Sequence, residues 1–261
     1  MTRRLFLASL SAGIGQAHDL YLMPQEFRSK APGRRLIWFH LGDDFPASSS
    51  AVSVERLRNA RAIGPEGTFP IDRFQAAGDR VAGQVDLPAE GTYVLAVETV
   101  PNQIDLPASS FESYLEHEGL RHVIEWRKEH GQSDKNGTER YTKFVKSVIA
   151  AGKPDGSHSR LVNFPIEIVP AADPFALRAG DALPIQVLFN GEPAADLQIQ
   201  AAWARGKSSD ARITGRTDAQ GRLDVPIDKK GTWRLHTVLM RRRAEDDADW
   251  ESFWASLTFE I

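Results

Sequence analysis

Large side chains at every second position, interrupted every ten residues or so by turn-forming pairs, decide what this chain can build. Thr92-Tyr93-Val94-Leu95-Ala96-Val97-Glu98 keeps its larger residues on alternate positions. Leu183, Ile185, Val187 and Phe189 share one face, and Leu197, Ile199, Ala201 and Trp203 share another. A period of two marks a half-buried strand. Leu36-Ile37-Trp38-Phe39-His40 is bulky on both faces and also reads as a strand. The punctuation is Pro32-Gly33, Gly42-Asp43-Asp44, Gly64-Pro65-Glu66-Gly67, Ala77-Gly78-Asp79 and Ala89-Glu90-Gly91 in the first half. In the second it is Asn190-Gly191-Glu192-Pro193 and Thr217-Asp218-Ala219-Gln220-Gly221-Arg222. This pattern predicts a mainly β chain of two immunoglobulin-like antiparallel β-sandwich domains. The first spans residues 18–169 and the second 170–261, joined through Pro170-Ala171-Ala172-Asp173-Pro174.

Between about 108 and 152 the period changes. Ser109 to His130 is rich in Glu, His and Arg, and Tyr141, Phe144, Val145, Val148 and Ile149 recur at helical spacing. The reading is an inserted α-helical hairpin, with Gly119 interrupting its first helix and Gly152-Lys153-Pro154-Asp155-Gly156 ending its second.

Residues 1–17 read as a signal peptide. Arg3 and Arg4 precede the apolar run Leu5 to Ile14, and Gly15-Gln16-Ala17 supplies the small residues a signal peptidase needs. Thr2-Arg3-Arg4-Leu5-Phe6-Leu7 also fits the twin-arginine order, so either export route is open. The expected location is the periplasm or the exterior. No other apolar segment is long enough to cross a bilayer, so no transmembrane span is expected once the signal is removed. The chain has no cysteine, which excludes zinc fingers, iron–sulfur clusters, thiol catalysis and thioether-linked haem. Loss of Arg3 and Arg4 leaves 30 basic residues against 35 acids, about −5, the wrong sign for a nucleic-acid binder.

Cleavage after Ala17 makes His18 the first residue. A terminal histidine chelates a divalent transition metal ion through its α-amine and Nδ1, and a second imidazole completes the planar nitrogen set that copper favours and nickel accepts. The amine, with an ordinary pKa near 8, must lose a proton to bind, so affinity should rise with pH. Candidate further metal ligands are His40, His236 and Asp249, with His158 and Glu251 behind them. His40 and His236 each also read as ordinary strand histidines. His117, His122 and His130 lack an i, i+4 pairing and read as a solvated helix face among Glu112, Glu116, Glu118 and Arg121. No Gly-x-Ser-x-Gly elbow, phosphate-binding loop or His-Glu-x-x-His motif is present, and the chain reads as a non-enzyme.

Five segments carry a resemblance to a known family. They are Ala17-His18-Asp19-Leu20-Tyr21-Leu22, Phe111 to Leu120, Glu139 to Lys146, Asp173 to Gly180, and Asp249 to Phe259. Together they resemble a family of exported bacterial proteins of unknown function, once described as a periplasmic component of cobalt and nickel transport. The resemblance implies cobalt or nickel as cargo and an envelope transporter or receptor as partner. Some relatives carry histidine just before the methionine that Met240 matches, whereas this chain has Leu239. His236 is the nearest substitute, but alternation places 236 and 239 on opposite faces. The second domain also resembles transthyretin-like or carboxypeptidase-regulatory sandwiches, a likeness that speaks to fold alone.

The expected function is therefore that of a periplasmic metal-binding accessory protein for uptake or delivery of copper, nickel or cobalt, anchored on His18. The alternative is a metal-free two-domain β-sandwich module that binds an envelope partner through its loops and helical insert.

Overall fold

The computed structural model describes residues 18–243, 245 and 247–261, so the expected signal peptide at 1–17 lies outside the described residues. The chain runs through β1 (Leu20–Pro24), β2 (Arg28–Ser29), β3 (Gly33–Leu41), β4 (Leu57–Gly64), β5 (Gly67–Pro70), β6 (Asp72–Ala77), β7 (Arg80–Leu87), β8 (Gly91–Thr99) and β9 (Asn102–Leu106). Two helices follow, α1 (Ala108–His117) and α2 (Arg121–Glu129). The rest is strand again: β10 (Gly137–Ala151), β11 (Ile166–Pro170), β12 (Asp181–Phe189), β13 (Glu192–Pro193), β14 (Gln198–Arg205), β15 (Ser208–Arg216), β16 (Arg222–Ile227), β17 (Thr232–Arg242) and β18 (Trp250–Glu260).

The expected mainly β sandwich architecture with two inserted helices is what the chain adopts, and the two sandwiches share their middle layer. A ten-stranded sheet runs β15-β14-β17-β18-β10-β8-β4-β5, with β2 and β9 also paired to β10. On one face lies the four-stranded sheet β11, β12, β13 and β16. On the other lie the four-stranded sheet β1-β3-β7-β6 and the two helices. Alternation along β8 makes the sharing visible. Val94 and Ala96 pack into one core with Ile185, Val187 and Leu257, while Tyr93, Leu95 and Val97 pack into the other with Leu22, Ile37 and Phe39. The strand ending the expected first domain, β11, pairs with β12 and so belongs to the second sandwich.

The sequence reading needs correction at residues 137–152. The stripe Tyr141, Phe144, Val145, Val148 and Ile149 is not a second helix but part of the 15-residue strand β10. Both faces of β10 are covered, so apolar residues need not alternate with polar ones, and a run buried on both sides mimics helical spacing. β10 also departs from a purely antiparallel plan, because it pairs in parallel with β18 from Glu139↔Trp250 to Ser147↔Thr258.

Both helices fall within the stretch expected to form one. Gly119, at φ +67°, lies between them. Leu120 N–H reaches back to the Leu115 carbonyl and Gly119 N–H to Glu116, which ends α1 in a Schellman turn. A Cβ on Gly119 would lie 2.4 Å from Gln198 Oε1. Gly119→Ala should therefore cost at least the 1–2 kcal/mol of a left-handed alanine. Urea melting checks this; an unchanged midpoint would show that the turn can relax.

Candidate functional site

One face of the ten-stranded sheet is covered by two bodies that do not quite meet. The helices pack over Tyr141, Val238, Met240 and Trp254. Strand β1 lies beyond them, where Ser256 Oγ donates to the Leu20 carbonyl at 2.8 Å and Thr258 Oγ1 to Leu22 at 2.7 Å. In the seam between them, alternation sends inward Lys143 of β10, Trp254 of β18, His236 of β17 and Gln200 of β14, from four neighbouring strands.

The seam is filled with charge. Asp19, at the head of β1, lies 2.7 Å from Arg234 Nη1 and 3.4 Å from His236 Nδ1. His236 Nε2 lies 3.2 Å from Glu118 Oε2, and Glu118 Oε1 lies 3.0 Å from His117 Nδ1. Gln200 also donates to Glu118, at 3.3 Å. A continuous line, Arg234–Asp19–His236–Glu118–His117, thus runs from β1 to the end of α1, and all but His117 are buried. Burial alone would raise the Glu118 pKa, but the charge of His236 and the hydrogen bonds from His117 and His236 outweigh it and hold the carboxyl well below its usual range.

His18 is tethered at the seam's mouth. Its Nδ1 lies 2.8 Å from Asp43 Oδ2, and Asp43 Oδ1 accepts from Asp19 N–H at 3.3 Å. The His18 carbonyl accepts a hydrogen bond from Lys143 Nζ. Burial pushes Lys143 down to about 8, with Arg56 adding to the fall and Asp19, Glu139 and Asp43 opposing it. The Lys143 ammonium rests 4.4 Å from the Trp254 ring centroid. The positive charges of His117 and Lys143 are both favoured by Asp19 and Asp43, which places these groups in one electrostatic neighbourhood.

Of the residues expected from sequence to bind metal, His18 and His236 lie on either side of Asp19's contacts. The others do not join them. Asp249 accepts from Thr138 at 2.8 Å, beyond the far end of β18, about 20 Å along the strand from the row of His236. Glu251 is held by Arg241 and Arg243, and His158 sits in the turn 157–159. His40 is buried against Tyr21, ring centroids 5.3 Å apart, and its Nδ1 has no partner among the described residues. Among the described residues no group of three or more His, Asp or Glu side chains forms a ready coordination sphere. The members missed by the sequence reading are Asp19, Asp43, Glu118, Lys143 and Arg234. His117, read there as part of a solvated helix face, is exposed but bonded into the line through Glu118.

Burial, helped by the charge of Arg80, pushes the His40 pKa down to about 4. In the unfolded chain it titrates near 6.5. Below pH 6.5 the unfolded chain therefore takes up a proton that the fold refuses, and stability falls until about pH 4, by roughly 3 kcal/mol. His40→Phe keeps the stacking and should remove that part of the slope. Urea midpoints at pH 7 and 4.5 measure it, and an equal slope in both proteins would refute the assignment.

The family described as Domain of unknown function (DUF4198) matches residues 15–241. The chain belongs to this family. The DUF4198 match takes in every residue of the charged line, His18, Asp43 and Lys143, and ends within β17, before β18. No protein with a curated description matches the chain. Among solved structures, the D0–D1 domain of intimin aligns over 93% of this chain and 98% of its own, at 9% identity and a TM-score of 0.25. The three N-terminal domains of the Hoc outer capsid protein of bacteriophage RB49 align over 92% and 59%, at 11% identity and a TM-score of 0.17.

Proposed function

We propose that this DUF4198 protein is an exported accessory protein that binds a divalent transition metal ion, copper, nickel or cobalt, and passes it to or from an envelope partner. The observation that carries the reading is the setting of His18. The imidazole that cleavage after Ala17 would place beside a free amine lies 2.8 Å from the Asp43 carboxylate, at the mouth of a seam holding His117, Glu118, Asp19 and His236. Imidazole and amine nitrogens with a carboxylate oxygen suit these ions. His18 and Asp43 would hold the metal, and His117 is the exposed imidazole nearest to joining them. Asp19 and Glu118 orient His236 behind them, as outer-shell carboxylates do. Copper follows from the amine–imidazole pair, nickel or cobalt from the family resemblance.

A metal-free binding or scaffold module is favoured by one observation: each charge in the line already has a protein partner. Calorimetric titration of protein beginning at His18 with Cu(II) and Ni(II) separates the two readings. Metal binding that strengthens from pH 6 to 8 supports the first; no heat with either ion supports the second.

A further inference from the structure

The other end of the seam gathers donors without acceptors. Tyr141 Oη accepts from Asn102 Nδ2 at 2.8 Å and from Arg56 Nη2 at 3.4 Å, while its own proton goes to no acceptor among the described residues. The Arg56 guanidinium lies 5.5 Å from the Tyr141 ring centroid, and the Lys143 ammonium 5.3 Å from the same centroid. Neither cation has a carboxylate within ion-pair distance among the described residues. Lys143 is 4% exposed, and its hydrogen bond to the His18 carbonyl uses one of three N–H groups. Behind it lies a narrow crevice bounded by Asp19, Leu20, His236, Trp254 and Ser256.

The acids nearby do not fill the deficit. Asp19 is engaged by Arg234 and Asp43 by His18. Glu139, fully buried beneath Tyr114, Ser252 and Trp254, has its pKa raised by burial, which favours the neutral carboxyl. A buried ammonium and a guanidinium without counter-ions, beside a phenol and an amide, form a pattern that an incoming anion completes. Arg56 and Asn102 stand on the open side, so the approach is from solvent.

We propose that Arg56, Asn102, Tyr141 and Lys143 form an anion subsite that holds a carboxylate of a small chelator, in whose complex the metal reaches His18. This rests on the metal reading above. The planar fork of Arg56 suits a carboxylate, and Lys143, hydrogen-bonded to the His18 carbonyl, places that carboxylate next to the metal anchor. His18 and Asp43 then need supply only part of the coordination sphere, and the chelator supplies the rest.

Citrate is a suitable probe. Equilibrium dialysis of the protein beginning at His18 against labelled citrate, Ni(II), and the two together follows retained metal and citrate separately. The expected result is one citrate retained per nickel, and citrate binding about tenfold weaker in Arg56→Gln, the loss of one charge-assisted contact. Binding of nickel alone should be unchanged in that variant. Lys143→Met should show a larger loss of citrate. Arg56 is half-buried, lies outside the core, and tests the subsite should Lys143→Met fail to fold. Nickel retained without citrate, or citrate held equally by wild type and Arg56→Gln, overturns the subsite while leaving the metal reading intact. Citrate bound through Arg56 in a protein that takes up no nickel in either form overturns the chelate, leaving only a carboxylate site. Retention of neither ligand overturns the subsite and removes nickel from the metal reading, which the Cu(II) titration then decides.

Discussion

Acetylation of the terminal amine of protein beginning at His18 is expected to weaken Cu(II) binding by about a hundredfold or more. Amine and imidazole of one residue close a chelate ring, so once one nitrogen is bound the second binds intramolecularly, an advantage of roughly 10²–10⁴. Acetylation turns the amine into an amide nitrogen, which is not basic, supplies no new amine, and leaves the imidazole beside Asp43 alone. The same change should flatten the pH dependence. An amine with an ordinary pKa near 8 makes affinity rise up to about tenfold per pH unit below that value, and the acetylated protein lacks this contribution. Calorimetry on both forms at pH 6, 7 and 8 measures affinity and slope together. Equal affinities would remove the terminal amine from the site, and with it the reason for preferring copper.

Arg234→Met should be the most destabilising of the substitutions considered, at about 3–5 kcal/mol. Arg234 is 4% exposed, packs over the rings of Tyr21 and Phe45, and faces Asp19 at 2.7 Å. The two groups touch, although Nη1 is not aligned for a good hydrogen bond. Methionine keeps much of the packing and leaves Asp19 buried with His236 as its remaining charged partner. Much of the cost is the stranded carboxylate, so Asp19→Asn added to Arg234→Met should recover part of the loss. Urea melting of the two single variants and the double variant gives the coupling; additive losses would mean the pair does not interact.

Alternation and turn chemistry made the strands legible, because both follow from residues close together in the chain. Asn190 and Gly191, at φ +52° and +83°, form the turn that the sequence reading places there. β10 misled because a strand covered on both faces loses the period that identifies it. The seam was illegible for a different reason. Asp19, Glu118, Lys143 and His236 are about a hundred residues apart or belong to different elements, and no spacing rule connects them. Asp43 read as a turn residue, and Glu118 as one of several acids on a helix. Only the pairing of β10, β18, β17 and β14 brings their inward rows together. The strand histidines could not be ranked from sequence either: His236 faces two carboxylates, while His40 is shut in against Tyr21 with one nitrogen unpartnered.

One interior strand ties the ten-stranded sheet together. β18 lies between β17 and β10 and pairs with both along most of its length, and its Ser256 and Thr258 hold the strand that opens the described chain. Until Trp250 to Glu260 have been synthesised, β10 lacks its parallel neighbour and β17 and β1 lack the strand they pair with or lie on. The two halves are therefore not separable modules, and assembly, dominated by pairings between distant parts of the chain, is of the slow kind. A chain stopped before Trp250 would lose both sandwiches, not one.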